Sequence, residues 1–340
     1  MPDPEVVVDP EDVGGLPDGW AVDVPAPERD VDRLTELLRD HERAGRGWPG
    51  SDRDDVLVEV SRLRTRQNVV VRDDAGVARA WGSVHDRASG RMLFLHVVER
   101  GLPESTGRAC SDLLVEWAVG QAREVGAARG LEVQQIDTGA FSGDDRQARW
   151  LGTAGFTRVR EWWQMTRPVA AEEADLVPSP ARWSDRGVTF RLAEGEDDLR
   201  AVHDVLETAF TDHFNSKPET FEEFLHRLRE DPGHRWDHWW LAEREESGDP
   251  VGALVGTQAG SQAAPASYVA YIGVVEAARG RGVAKGLLRT IIADAAARGR
   301  ERVGLEVDAD SETGAHHLYE SMGWTTSYVT ESWHRDVPVR

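Results

Sequence analysis

The stretch that decides the fold is 268-YVAYIGVV-275, which is followed by 279-RGRGVAKGLL-288. The first part is an apolar run of strand length, and the second opens an amphipathic run that is typical of a helix. Two glycines remove side chains from the turn between them, so backbone N–H groups at the helix start can contact phosphate oxygens. Two arginines in the turn add charge-assisted hydrogen bonds of about 1.5–3 kcal/mol each. The sequence therefore predicts a strand, a pyrophosphate-binding loop and a helix.

The loop differs from the two common nucleotide-binding motifs. It lacks the glycine spacing of the dinucleotide fingerprint, and no Ser or Thr follows Lys285 as the P-loop requires. A glycine-rich turn with surface arginines is the alternative interpretation of this stretch taken alone. The rest of the chain is needed to decide between the two.

The composition favours a soluble two-domain protein with a strongly acidic surface. The 340 residues are 40% hydrophobic and carry a formal charge of −21, which disfavours nucleic acid and suits a cationic small molecule. The one cysteine, Cys110, excludes a disulfide within the chain, and no group of His and carboxylates has metal spacing. The acidic N-terminus is unlike a signal peptide, and no apolar run reaches the ~20 residues of a membrane span. We expect a cytoplasmic monomer or homodimer that binds neither nucleic acid, membrane nor metal.

A weak internal repeat predicts two copies of one α/β fold. The segments 147-QARWLGTAGFTRVREWW-163 and 315-AHHLYESMGWTTSYVTESW-333 each give a helix, a Gly-aromatic pair and a strand. A stretch rich in Pro, Ala and charge separates the two halves and predicts a linker. We expect a first domain at 1–168, a linker at 169–187 and a second domain at 188–340, each with a twisted mixed β-sheet flanked by helices.

Hydrophobic periodicity places the elements of both domains, at lengths that suit a mixed sheet. In the first domain it predicts helices at 30–43 and 110–130 and strands at 68–74, 77–86 and 93–98. The elements predicted in the second domain are strands at 188–193, 238–245, 250–259, 268–275, 302–308 and 324–332, and helices at 196–210, 219–230, 282–298 and 313–322.

The order strand, Arg-x-x-Gly-x-Ala loop, long helix, strand and a short helix before a Gly-aromatic pair resembles the GNAT family of N-acetyltransferases. Arg279, Gly282 and Ala284 match the family's loop, and Tyr319 stands four residues before the Gly-aromatic pair. The resemblance covers residues 188–335 well and the first half only as a faint copy. The whole is similar to the tandem-domain acetyltransferases of actinobacterial type, the group that contains mycothiol synthases.

The resemblance implies acetyl-CoA as the donor. In this family the loop holds the pyrophosphate of coenzyme A, and a backbone N–H at the end of the preceding strand meets the thioester oxygen. Glu312 stands where many relatives carry an asparagine that contacts the pantetheine arm. The positions implied to bind the donor are Val274, Val275, Arg279, Gly280, Arg281, Gly282, Val283, Ala284 and Glu312.

Tyr319 is the residue that the resemblance places beside the thioester sulfur. A phenol with a pKa near ~10 is a weaker acid than a thiol near ~8.5, so we expect it to assist the leaving thiolate chiefly as a hydrogen-bond donor. An amphipathic tyrosine in the core is the alternative interpretation.

The attacking amine must lose a proton, and the sequence offers few candidates to take it. Glu306 lies in the middle of a strand and points away from its apolar residues, so it is the candidate base, with a solvated strand face as the alternative. His213 and Phe214 lie in the region that covers the acceptor in this family and are candidates to line its pocket. His316 and His317 are consecutive on a helix, which predicts surface or packing roles.

The first half lacks these features. Its matching loop carries Pro103 and Glu104 where the second half has Arg-Gly-Arg-Gly, and Leu151 stands where the second half has Tyr319. Because leucine cannot assist a thiolate, we expect a degenerate domain that supports the fold, with residual coenzyme binding as the alternative.

The sequence thus predicts an acyltransferase, a GNAT N-acetyltransferase that moves an acetyl group from acetyl-CoA to the primary amine of a small molecule by direct attack in a ternary complex. A mycothiol synthase acting on a cysteinyl amino-sugar is a narrower alternative. A non-catalytic acyl-CoA-binding or regulatory protein and an acetyltransferase of basic protein tails are alternatives of other classes. The acceptor itself is not encoded in a readable pattern, because acceptor pockets come from variable loops.

Overall fold

The computed structural model describes residues 15–61, 66–87, 90–176, 187–211, 219–229, 233–261, 264–311 and 314–340. The chain divides into two compact units, which we call the first unit (Met1–Trp162 with Tyr328–Arg340) and the second unit (Trp163–Ser327). The end of the chain thus groups with the first unit, although the repeat in the sequence assigns it to the second domain. These limits differ from the predicted domain ranges for that reason.

The first unit combines antiparallel and parallel strands with helices. The strands are β1 (Ala21–Asp23), β2 (Arg66–Arg72), β3 (Ala78–Asp86), β4 (Arg91–Val98) and β5 (Val133–Phe141), and the helices are α1 (Pro27–Arg46), α2 (Arg53–Val60), α3 (Glu104–Ala128) and α4 (Asp145–Thr153). Two long strands, β6 (Thr157–Pro168) and β12 (Thr325–Pro338), have part of their length in each unit. The strand order is β1-β2-β3-β4-β5-β12, in which β4 and β5 are parallel and the other pairs are antiparallel.

The second unit repeats this arrangement. Its elements are β7 (Val188–Leu192), α5 (Gly195–Ala209), α6 (Phe221–Arg229), β8 (His234–Arg244), β9 (Pro250–Ser261), β10 (Ala264–Val274), α7 (Val283–Ala297), β11 (Arg302–Asp308) and α8 (Ala315–Ser321). The strand order is β7-β8-β9-β10-β11-β6, where β10 and β11 are parallel and α7 connects them. Short 3₁₀ helices lie at Ala171–Leu176 and Glu276–Ala278.

Alternating side chains give the sheet of the second unit two apolar faces. Val269 and Leu305 belong to the buried cluster on the α7 face, while Val255 and Leu241 belong to the cluster beneath α5 and α6. Successive residues of a strand point to opposite faces, so both surfaces of this sheet are covered by helices.

Helix α7 lies close to the sheet because of a small residue in its first turn. A Cβ atom on Gly286 would lie 2.1 Å from the ring of Phe190 on β7, so glycine is required for this approach. The buried side of the helix continues through Leu287, Ile291 and Ile292. The helix therefore begins where the Gly-rich turn ends and is held there by apolar burial.

The predicted fold class is confirmed, since both units are mixed α/β structures with helices on their sheets. The predicted elements of the second half all occur, although β12 runs on to Pro338 rather than ending at 332. The sequence analysis did not predict β1, α2 or β5. Among the described residues, no helix is both long and apolar enough to cross a bilayer.

Candidate active site

The site begins where β10 and β11 separate. Their parallel pairing runs from Ala266 with Arg302 to Val269 with Leu305, yet β10 continues to Val274. A register shift after Val269 marks the start of this divergence. The end of β10 therefore pairs with β9 alone and leaves a gap on its other edge.

The backbone at the end of β10 directs an N–H group at that gap. The N–H of Val275 donates to the carbonyl of Val251 on β9 at 3.1 Å, and Val274 stands opposite Gly252. Residues of an antiparallel pair alternate between hydrogen-bonded and non-bonded positions. The N–H of Val274 therefore points away from β9, toward the side from which β11 has diverged. Of the two predicted valines, Val274 is the one whose amide faces the gap.

The predicted loop forms the entrance to α7. Gly280 and Gly282 have φ values of 76° and 79°, a left-handed conformation that glycine adopts without strain. Gly282 is the N-cap, and no side chain caps the helix. The N–H of Gly286 is the first to bond within the helix, to the carbonyl of Gly282 at 2.9 Å. The amides of Val283 and Ala284 thus precede the helical ladder, and they carry the positive end of the helix dipole.

The arginines of the loop add exposed positive charge at the same place. Arg279 and Arg281 are both exposed, and the Nε of Arg279 donates back to the carbonyl of Val274 at 3.3 Å. This bond ties the loop to the end of the strand. Guanidinium groups beside a free helix start provide the donor set that a diphosphate needs.

Tyr319 lies in α8 and is 7% exposed. Its ring centroid lies 6.1 Å from that of Trp324, and its carbonyl accepts the N–H of Trp324 at 3.1 Å. Burial raises the pKa of the phenol to about 12. The hydroxyl therefore stays protonated across the physiological range and can act as a hydrogen-bond donor.

This geometry agrees with what the comparisons with known proteins found. The sequence model described as "Acetyltransferase (GNAT) family" matches residues 199–324, a range that contains the gap, the loop and Tyr319. Residues 199–324 form a GNAT domain. The chain is also 25% identical to a GCN5-related N-acetyltransferase from Sphaerobacter thermophilus, with a TM-score of 0.74 over 95% of this chain and 97% of that one.

Curated relatives and a further solved structure also resemble the chain. A mycothiol acetyltransferase of Thermobispora bispora is 33% identical over 52% of this chain and 58% of the relative, so that alignment spans little more than half of the relative. A mycothiol acetyltransferase of Frankia alni is 27% identical over 90% of this chain and 91% of the relative. A tandem GNAT protein from the clavulanic acid biosynthesis pathway has the same fold, with a TM-score of 0.68 and 14% identity over 94% of this chain and 98% of that one.

Glu306 lies on the face of the GNAT domain's sheet that α5 and α6 cover, just beyond the last paired residue of β11. Its neighbours Leu305 and Val307 are buried toward α7, as the alternation in the sequence predicted. The residue is exposed, and desolvation raises the pKa of its carboxyl group, to which the charge of Asp308 adds. Its Oε2 accepts a hydrogen bond from the amide of Gln164 on β6, which the sequence analysis did not single out.

The remaining candidates contribute less to this geometry. His213, Phe214 and Glu312 lie outside the described residues, so their roles stay predictions. His316 packs edge-on against Trp163 at 5.2 Å, and His317 is exposed beside Glu320. Within the described part of the chain, no group of His, Cys, Asp and Glu side chains could hold a metal ion.

Proposed function

We propose that the GNAT domain transfers an acetyl group from acetyl-CoA to the primary amine of a small molecule by direct attack in a ternary complex. The observation that carries the proposal is the gap beside Val274, which opens next to an uncapped helix start with two exposed arginines. GNAT enzymes generally use acetyl-CoA as co-substrate. The residues present fit that donor because its diphosphate needs N–H and guanidinium donors and its pantetheine arm needs an open strand edge.

The backbone would polarise the thioester. The N–H of Val274 would donate to the thioester oxygen, where negative charge develops in the transition state. A fixed donor in a water-poor site lowers that barrier by a few kcal/mol, roughly 10²–10³ in rate. The amides of Val283 and Ala284, with Arg279 and Arg281, would hold the diphosphate.

Tyr319 would assist the leaving thiolate. With a phenol pKa of about 12 against about 8.5 for a thiol, full proton transfer runs uphill by about 5 kcal/mol. The phenol therefore acts as a hydrogen-bond donor to the sulfur as charge develops, which lowers the energy of the transition state without complete transfer.

The acceptor would be a small amine, and a cationic one suits the site. Glu306 and Asp308 share one end of β11, where carboxylates attract a protonated amine. The amine must be neutral to attack. Glu306, with its raised pKa, would take the proton.

A cysteinyl amino-sugar is the second candidate acceptor. It is favoured by the Frankia alni mycothiol acetyltransferase, which aligns with nearly the whole chain, although at 27% identity. A non-catalytic acyl-CoA-binding protein remains the alternative of another class.

The test measures free thiol released from acetyl-CoA with a panel of amines that includes a cysteinyl amino-sugar. We expect release only with an amine present. Coenzyme binding without release by any amine would favour the binding-protein alternative, and absence of coenzyme binding in calorimetry would overturn the proposal.

A matched pair of variants tests the loop. Gly282→Ala and Gly130→Ala both place a side chain at positive φ, 79° and 69°, at a cost of about 1–2 kcal/mol each. Only Gly282→Ala should weaken coenzyme binding, by about 10-fold, because Gly130 follows a helix of the first unit. Equal affinities for both variants would count against the loop as the phosphate site.

A further inference from the structure

We propose that Gln164 is a positioning residue for the reaction, which holds the carboxylate of Glu306 in the orientation that receives the proton of the acceptor amine. The inference rests on the proposed function and adds a residue to it. Gln164 lies outside the segment of sequence that carries the GNAT motifs, since it comes from β6 before the linker. Its strand nevertheless lies next to β11 in the second unit.

The contact that carries this inference is specific. Gln164 is 9% exposed, and its Nε2 donates to Oε2 of Glu306. A buried amide that donates to one carboxylate oxygen fixes the rotamer of the glutamate. The other oxygen, Oε1, is then the one available to the amine.

The chemistry of an amide suits this role better than a cation would. An arginine or lysine beside a carboxylate lowers its pKa by 1–3 units and weakens it as a base. A neutral amide orients the carboxylate with a smaller effect on its charge. In the described part of the chain Glu306 makes no ion pair, so the amide is the group that positions it.

Three influences act on the pKa of Glu306, and the Gln164 amide is one of them. Desolvation by the surrounding protein and the carboxylate of Asp308 both raise its pKa, whereas the Gln164 amide lowers it. The ring of Tyr268 on β10 lies on the same face, 3.1 Å from the position of a Cβ on Gly304. Removal of the amide leaves the two raising influences unopposed.

The experiment compares Gln164→Ala, Gln164→Asn and the control Thr166→Val, which lies two residues along the same face of β6. In Gln164→Ala the acidic limb of kcat/KM should move up by about one pH unit, because a hydrogen bond to a charged group is lost. The rate at low pH should fall several-fold and recover at alkaline pH. The acidic limb of Gln164→Asn should lie between those of the native protein and Gln164→Ala. Thr166→Val should keep the acidic limb of the native protein. A merely structural role would lower rates at every pH without moving the limb.

A second measurement does not depend on turnover. The carboxyl ¹³C resonance of Glu306, assigned by its loss in Glu306→Gln, can be titrated in the native protein and in Gln164→Ala. The inference requires a higher Glu306 pKa in the variant, and equal values would overturn it. If Glu306→Gln leaves the acidic limb of an active enzyme unchanged, Gln164 has no role in proton removal, yet the acetyltransferase proposal stands. If the native protein releases no thiol with any amine, the proposed function fails, while the titration still decides whether Gln164 holds Glu306.

Discussion

The first and second units share one arrangement of strand, helix and strand but differ in what occupies the gap between the strands. In the first unit, β4 pairs with β5 only from Arg91 to Phe94 and then continues to Val98 paired with β3 alone. The same divergence thus occurs in both units, and α3 connects the two strands as α7 does in the second. A diverging pair of strands by itself does not make a site.

Side chains of α4 fill the gap of the first unit. The amide of Gln147 lies 3.3 Å from the carbonyl of His96 and 3.4 Å from that of Gly139, so it bridges both strands. Arg146 donates to the carbonyl of Val98 at 3.1 Å. Groups that a pantetheine arm would need are therefore already bonded within the unit.

The start of α3 is also unsuited to bind an anion. Its N-cap is Pro103, and Glu104 places a negative charge in the first turn, where it accepts from the indole of Trp150 at 3.2 Å. A carboxylate at that end of a helix stabilises the helix but repels a phosphate. Leu151, in the place of Tyr319, is fully buried in the core.

Counting back from the Gly-aromatic pairs aligns the two short helices. Gly314 and Ala315 then stand in the second unit where Arg146 and Gln147 stand in the first. At these two positions the side chains that bond to the strands of the first unit are replaced by a hydrogen atom and a methyl group. Fold similarity alone would have assigned both units the same function.

The largest expected effect is on kcat, and it distinguishes Tyr319 from Leu151, its counterpart in the first unit. Tyr319→Phe should lower kcat about 100-fold or more, because the sulfur loses its hydrogen-bond donor. Coenzyme affinity should be unchanged, since the ring still packs beside Trp324. The control Leu151→Met conserves volume in the first unit and should leave kcat unaltered. Steady-state kinetics with calorimetry check this, and an undiminished kcat in Tyr319→Phe would remove the assignment.

Filling the open gap should convert the second unit toward the state of the first. Ala315→Gln should raise the Kd for coenzyme A about 10- to 100-fold, because an overpacked site costs roughly 1–3 kcal/mol. Ser321→Gln, at the exposed end of the same helix, is the control and should bind normally. Calorimetry of the native protein should give one coenzyme per chain. A second bound coenzyme, or normal binding by Ala315→Gln, would contradict this comparison.

The sequence predicted the loop and most elements because their signals are local. Gly280 and Gly282 require left-handed backbone, and the apolar runs of β10 and α7 have clear periods. The grouping of Tyr328–Arg340 with the first unit could not be predicted, because the pairing of β12 with β5 joins residues far apart in sequence.

Contacts between distant strands were missed for the same reason. No local pattern connects Gln164 with Glu306, although the alternation in β11 did place Glu306 on the correct face. The sequence predicts a helix that contains Gln147, but the bonds of this residue to two strands depend on the tertiary fold. A residue-by-residue comparison of the two short helices could have predicted this difference between the units, because Ala315 and Gln147 differ greatly in size.

The smallest expected effect is on stability at alkaline pH, because Tyr319 in the second unit and Cys110 in the first are buried groups with raised pKa values. Burial raises the pKa of Tyr319 from 10 to about 12 and that of Cys110 in the first unit from 9.0 to about 12. Above the pKa that each group has in the unfolded chain, the unfolded chain loses a proton that the folded chain keeps. The free energy of unfolding therefore falls as pH rises, by at most about 1.4 kcal/mol per unit of pH for each group. Leu151 cannot ionise, so in this comparison the first unit's sensitivity comes from Cys110.

Urea unfolding between pH 8.5 and 11 checks this pair. The free energy of unfolding should fall less steeply above pH 10 in Tyr319→Phe, and less steeply from about pH 9 in Cys110→Ala, than in the native protein. The slopes are compared rather than the absolute values, because either substitution also changes packing. A slope in Tyr319→Phe equal to the native one would show that the phenol ionises as readily in the folded protein as in water, and the argument for Tyr319 as a permanently protonated donor would then fail.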